Sequence, residues 1–173
     1  MLNIIDSIQW RNYTQGAYSS YDNNPTNDCP YGKLYNLYAV MSSNQLCPTG
    51  WHLPTDADWN VLIANLDPSY NPTVEYGPQS SIAGGKMKST GTAYWLTPNT
   101  AAANSSGFSA LPGGLRSSGG SYGGMGRFGY WWSNTPYPIT GGSYWGRSLA
   151  FDFGGVYRGA SKTDGFSVRC LKD

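Results

Sequence analysis

Charge is the first scarcity in this 173-residue chain. Lys and Arg number 11 and Asp and Glu 10, a net of +1. Charged residues make up 12%, about half the usual share. They form no block, so the electrostatic footprint of a nucleic-acid or anionic-membrane binder is missing. Long apolar runs are lacking too, and none approaches the roughly 18 residues of a membrane span. The start, Met1-Leu-Asn-Ile-Ile-Asp6, has no basic region leading into an apolar core, so no signal peptide is expected there.

Catalytic side chains are equally sparse. The chain holds one His, His52, and one Glu, Glu75. A Ser/His/Asp triad would have to be built on His52. A paired-carboxylate site would draw on nine Asp, most of them in turn-like contexts. Gly84-Gly85-Lys86-Met87 has part of a phosphate-loop signature, but no Ser or Thr follows the Lys, and position 80 is Ser where Gly is required. No Cys-x-x-Cys pair or His cluster offers a metal site. An enzyme is therefore not the expectation, and no catalytic residue, metal or cofactor is assigned.

Cysteine is limited to Cys29, Cys47 and Cys170. An odd number leaves at least one free thiol or an intermolecular bond. A bond between Cys47 and Cys170 would close a loop of about 120 residues and contribute on the order of 4–5 kcal/mol in the chain-entropy model. Spacing alone leaves that pairing level with three reduced thiols.

Aromatics and glycine are plentiful. Aromatics reach 15%, with 14 Tyr and 7 Trp, and 16 of the 23 Gly follow residue 100. A disordered chain lacks such aromatics, and a helical bundle does not carry this Gly and Pro load. Residues 1–30, rich in Asn, Tyr, Ser and Asp, read as an N-terminal arm. Gly32 to Val40 reads as a strand. Thr55 is a good N-cap, with Asp56 and Asp58 in the first turn. Trp59, Leu62, Ile63 and Leu66 follow at i, i+3, i+4 and i+7, one apolar face, and Asp67-Pro68 stops the helix. A shorter helix is predicted within Ile82–Thr90, weakened by Gly84-Gly85. Beyond residue 90 the segments are short, with residues 107–129 read as irregular loop. The whole predicts one α+β domain over 31–173.

One late segment alternates. From Trp145 to Phe153 every second residue is large, namely Trp145, Arg147, Leu149, Phe151 and Phe153. Gly146, Ser148, Ala150 and Asp152 lie between them. Period two predicts a strand with one bulky, anchoring face and one small, open face. The pattern breaks at Gly154-Gly155, a predicted turn, and resumes with Val156 and Arg158. The open face reads either as a solvent-facing strand surface or as a display surface on a rigid scaffold.

Several motifs occur in order: Tyr31-Gly-Lys-Leu-Tyr-Asn36, Cys47-Pro-Thr-Gly-Trp-His-Leu-Pro-Thr-Asp56, Gly85-Lys-Met-Lys-Ser89, Ser106-Gly-Phe-Ser-Ala-Leu-Pro-Gly113, Trp131-Trp-Ser133 and Gly165-Phe-Ser-Val-Arg-Cys170. Together they resemble the Fibrobacter succinogenes major paralogous domain family, from about residue 31 to the C-terminus. That family resembles the formylglycine-generating-enzyme branch of the C-type lectin-like fold. The resemblance implies two helices, a twisted and mostly antiparallel sheet with long loops, and Ser167-Val-Arg-Cys170 as the last strand. It also implies a Cys47–Cys170 disulfide. Trp51, Trp59, Phe108, Trp132 and Phe166 would be core and His52 structural.

The resemblance further implies a function. Domains of this kind serve as variable proteins of diversity-generating retroelements, in which an error-prone reverse transcriptase replaces adenines in a C-terminal cassette. Asn codons of the AAC type then yield any residue except Trp, Met, Lys, Glu and Gln. Here the region is about 143–164. Trp132, Trp145, Arg147, Leu149, Phe151, Phe153 and Arg158, with Val156 and Lys162, would be scaffold. The diversified, ligand-binding positions would be Tyr144, Gly146, Ser148, Ala150, Asp152, Gly154, Gly155, Tyr157, Gly159, Ala160, Ser161, Thr163 and Asp164, all of permitted types. Tyr144 and Tyr157 would supply amphipathic contact area. The expected partner is a protein or glycan on another cell or particle, as in host attachment, and the expected place is extracellular, a cell surface or a virion. Nucleic acid and membrane insertion are not expected.

A non-varying structural or adhesive surface module of the same family is the alternative. A calcium-dependent lectin is disfavoured, since its Glu-Pro-Asn or Gln-Pro-Asp triplet is absent and one Glu leaves few bidentate ligands. Oxidase chemistry needs a C-terminal thiol pair where this chain has Cys170 alone.

Overall fold

The computed structural model describes residues 1–42, 46–139 and 141–173. In chain order the elements are β1 (Leu2–Asn3), α1 (Ser7–Asn12), β2 (Ala17–Ser19), the single turn α2 (Asp28–Tyr31), β3 (Leu34–Asn36), α3 (Leu37–Met41), β4 (Trp51–His52) and α4 (Asp56–Leu66). They continue with β5 (Gly77–Ser80), α5 (Ala83–Met87), β6 (Gly113–Arg116), β7 (Tyr122–Met125), β8 (Phe128–Pro136), β9 (Tyr144–Ala150), β10 (Val156–Ser161), β11 (Gly165–Phe166) and β12 (Leu171–Lys172).

The helix read at Thr55 forms for the anticipated local reasons. The Thr55 side chain caps the Asp58 N–H, and the Asp58 carboxylate accepts from the Thr55 N–H in return. Trp59 and Ile63 are buried on one face, with Leu62 and Leu66 half-buried beside them. The shorter helix is α5. The expected strand over 32–40 is half strand and half helix. It turns at Asn36, whose buried side chain accepts from the N–H groups of Ala39 and Ala17 and so caps α3.

Nine strands run in the order β1-β2-β3-β11-β6-β8-β9-β10-β5, with β7 paired to β6, and a separate ribbon joins β12 to β4. Among the described residues, only β1–β2 and β6–β8 are parallel ladders. The result is a mixed α and β architecture, few helices around a large and mostly antiparallel sheet. β8 divides the core, because neighbouring residues of a strand point to opposite faces. Trp131 joins Trp59, Ile63, Met87, Trp95 and Leu149, while Trp132 joins Leu37, Val40, Leu53 and Phe166.

Three expectations give way here. Residues 1–30 are no arm: β1 and β2 extend the sheet, and Ile4, Trp10 and Ala17 are buried together. The buried Arg116 holds this segment by donating to the carbonyls of Ile4, Ile5 and Asp6 while stacking on Trp10. Residues 107–129 contain β6 and β7 instead of irregular loop. Ser167–Cys170 is not a continuous strand. Ser167 makes one bridge to Trp131, and the chain pairs again only at β12. Of the expected core residues, Trp51 is 41% exposed and Phe108 is half-buried.

Cys47 and Cys170 are disulfide-bonded across 123 residues, and Cys29 is free and exposed. Such a bond persists in an oxidising compartment. Among the described residues no helix is long and apolar enough to cross a membrane.

Candidate functional site

The alternation read in the sequence forms β9, but the strand ends at Ala150. Phe151 and Phe153 fall in the connection to β10. The register sets Tyr157 opposite Ser148, Gly159 opposite Gly146, and Ser161 opposite Tyr144. On the other side of β9, Tyr130 lies opposite Ser148 and Trp132 opposite Gly146. These residues share one face across three strands.

A groove of about 170 Å³ opens on that face. Its lining includes six of the thirteen expected ligand-binding positions: Gly146, Ser148, Gly159, Ala160, Ser161 and Asp164. Tyr130 and Phe166 add aromatic walls, with ring centroids 5.2 Å apart. A side chain added at Gly159 would meet nothing within 4 Å, so the floor is open. At the rim, Asp164 accepts from the Ser161 hydroxyl at 2.7 Å and from the Ser118 N–H at 3.0 Å. Burial, aided by Asp164, raises the Tyr130 pKa, so its phenol stays protonated. This surface can recognise by shape, ring contact and neutral hydrogen bonds. His52 is elsewhere, paired with Asp173 and Asp58.

The thirteen positions do not share one exposure. Asp152 and Thr163 are exposed, and Tyr144, Ser148, Tyr157, Gly159, Ala160, Ser161 and Asp164 are half-buried. Gly146, Ala150, Gly154 and Gly155 are buried. The last two differ most from the display expectation, for a packing reason. A Cβ on Gly155 would stand 2.1 Å from the Ser80 carbonyl oxygen, and one on Gly84 would stand 1.9 Å from the Gly155 carbonyl oxygen. The Gly85 N–H donates to the Gly154 carbonyl at 2.7 Å. The glycine pair of α5 and the glycine pair of the β9–β10 connection therefore touch backbone to backbone.

The opposite face of β9 is the anchor. Of the expected scaffold, Trp145, Arg147, Leu149 and Val156 are buried on this side, Phe151, Phe153 and Arg158 are half-buried and Lys162 is exposed, while Trp132 is buried on the groove side against Phe166. Asp56, at the start of α4, lies 2.8 Å from Arg147 and 2.5 Å from Arg158. Arg147 also donates to the Asn60 side chain at 2.8 Å, and Arg158 covers the Trp145 ring at 3.7 Å. Burial lowers the Arg147 pKa to about 10, with Asp56 opposing the shift. Lys88 fastens the connection. Its buried ammonium donates to the carbonyls of Ala150 and Phe153, and burial pulls its pKa down to about 8.

Sequence reading missed Tyr130 as a groove wall and Asp56 as the clamp. Tyr130 carried one signal, since it directly precedes the Trp131-Trp132 pair and alternates with Trp131 on β8. Asp56 looked like an ordinary first-turn carboxylate.

No curated protein and no solved structure matches the chain. The Fibrobacter succinogenes major domain family does, over residues 3–172, which brings residues 3–30 inside the match. With nearly its whole length covered, the chain belongs to the Fibrobacter succinogenes major domain family.

Proposed function

We propose that this chain is a ligand-binding display protein, the variable protein of a diversity-generating retroelement. It has a C-type lectin-like fold and binds a protein or glycan through the β9–β10 surface. The observation that carries this reading is the coincidence between the groove and six of the positions expected to vary. Tolerance of side-chain change is needed on one face of a strand and rigidity on the other. Gly159 has open space above it, whereas Arg147 and Arg158 lock the reverse face to Asp56. The disulfide is in keeping with a place outside the cell or on a virion. The chain acts by binding and is not an enzyme.

Sequencing sibling copies of the gene tests this. Changes should be confined to about codons 143–164 and should concentrate at Tyr144, Ser148, Tyr157, Gly159 and Thr163, sparing Gly154 and Gly155. An even spread of changes, or a locus without a template repeat and reverse transcriptase, overturns the proposal. The burial of four of the thirteen positions favours the second reading, a non-varying adhesive module with the same binding face. Invariant sibling copies that keep the groove residues would select it.

A further inference from the structure

A second concavity, of about 290 Å³, lies where α4 passes the C-terminal segment. It shares no lining residue with the β9–β10 groove. Its walls include Trp51, Trp59, Leu62 and Phe108, and two charged residues, Asp58 and Arg169, also line it. Three features of these walls bear on what the groove could hold. Trp51 leaves 41% of its surface exposed although it sits in the groove. Trp59 is 2% exposed, and its indole N–H is buried without a hydrogen-bond partner among the described residues. Such a group ordinarily finds an acceptor. Arg169, itself exposed, rests its guanidinium over the Phe108 ring at 4.7 Å and forms no ion pair among the described residues, which leaves its charge open to an anion.

Asp58 has an asymmetry of the same kind. Its contacts with the Thr55 N–H, the Thr55 hydroxyl and His52 all fall on Oδ2. Oδ1 is left to solvent or to a ligand. The lining thus combines flat apolar walls with a cation that has no anion and a carboxylate oxygen that has no donor among the described residues.

We propose that this groove binds an aromatic α-amino acid, its ring against Trp51 and Phe108, its carboxylate on Arg169 and its ammonium toward Asp58 Oδ1. The charge pattern selects a zwitterion. The volume lies at the small end of ligand pockets and suits a single ring better than a drug-sized molecule. Arginine recognises a carboxylate through paired N–H donors, and an aromatic wall gains from ring contact. This site is independent of the display reading. Its failure would leave the β9–β10 proposal untouched, and the reverse also holds.

Calorimetric titration of the intact, oxidised protein with L-phenylalanine tests the assignment, with phenethylamine and phenylacetate as probes lacking one charge each. L-Phenylalanine should bind saturably and more tightly than either probe, and should shift the Trp59 indole N–H resonance. Arg169→Gln should weaken L-phenylalanine by about tenfold or more and leave phenethylamine unchanged, while Arg169→Lys retains part of the binding. Trp51→Ala should weaken all three. No saturation by about 10 mM, equal affinity for phenylacetate, or an Arg169→Gln protein of unchanged affinity overturns the proposal. An unaltered thermal midpoint in Arg169→Gln separates lost recognition from lost structure.

Discussion

Replacing Gly155 and Gly159 by Ala should have opposite consequences, although both were expected on one variable surface. At Gly155 the new methyl would stand 2.1 Å from the Ser80 carbonyl oxygen and 2.3 Å from the Phe153 ring. Real contacts of this kind stay beyond 3.0 Å, so something must move by about an ångström. The ring has some freedom, but the carbonyl has little. Val156 pairs in register with Ser80, and the Ser80 hydroxyl donates to Asp67 while accepting from the N–H groups of Ile82 and Ala83. Shifting Ser80 therefore disturbs the start of α5 and the end of α4 together. We expect a loss near the top of the overpacking range, about 3 kcal/mol, and a fall in midpoint of roughly 6–12 °C for a domain of this size. At Gly159 nothing lies within 4 Å, and no positive φ demands glycine. Ala there should be within about 0.5 kcal/mol of the parent, on the stabilising side because glycine weakens a strand. Thermal unfolding followed by near-ultraviolet circular dichroism measures both. Equal shifts in the two variants, or a Gly155→Ala midpoint within about 2 °C of the parent, would refute the packing argument and return Gly155 to the display surface.

Asp56→Asn leaves Arg147 and Arg158, with side chains 1% and 11% exposed, facing each other without their anion. It should lower stability by about 3–5 kcal/mol in urea titrations, and a loss below about 1 kcal/mol would show that the clamp is not what holds α4 to β9 and β10. His52 should make the C-terminal ribbon pH-dependent. Its pKa is raised, chiefly by the hydrogen bond to Asp173, so its stabilisation is complete below the free-histidine value of about 6.5 and is lost as pH rises through the raised folded value. Amide exchange in β4 and β12, corrected for intrinsic rates, should therefore quicken as pH rises above about 6.5 and through the raised folded value. His52→Gln should abolish the dependence, and an identical dependence in that variant refutes it.

What could be read from the sequence was what the chain decides locally. The α4 helix was legible because cap, first-turn acids, apolar period and stop lie within thirteen residues, from Thr55 to Asp67. Bulky residues at 145, 147 and 149 were legible as one buried face for the same reason. Errors arose where a partner lay far away. Asn36 ends β3 because its carboxamide also bonds the Ala17 N–H and the Gln15 carbonyl. The first thirty residues looked like an arm because their polar composition gives no hint of Arg116, more than a hundred residues on. Gly154 and Gly155 looked free because small residues between bulky ones fit an open strand face. Their actual reason is Gly84 and Gly85, some seventy residues earlier.

The scarcity of charge takes on a different meaning in this light. Asp56, Asp67, Lys88, Arg116 and Arg147 are all buried, a class of residue almost never inside unless paired. Each one ties down a stretch of irregular backbone or an element junction. Arg116 holds the Ile4–Asp6 segment, Lys88 the β9–β10 connection, Asp67 the turn at Ser69 and Ser80, and Asp56 the two arginines. Loop carbonyls and N–H groups still need partners when no ladder supplies them, and a charged side chain makes such a bond about twice as strong as a neutral one. A loop-rich domain thereby gains fixed points without long helices. Apart from Arg147, which also lines the groove, these fixed points lie away from the open floor at Gly159, in the core and at the reverse face of β9. None of the thirteen positions expected to vary is one of them. The same distribution that makes Gly155 intolerant of a methyl group leaves Gly159 open to one while the backbone beneath it stays in place.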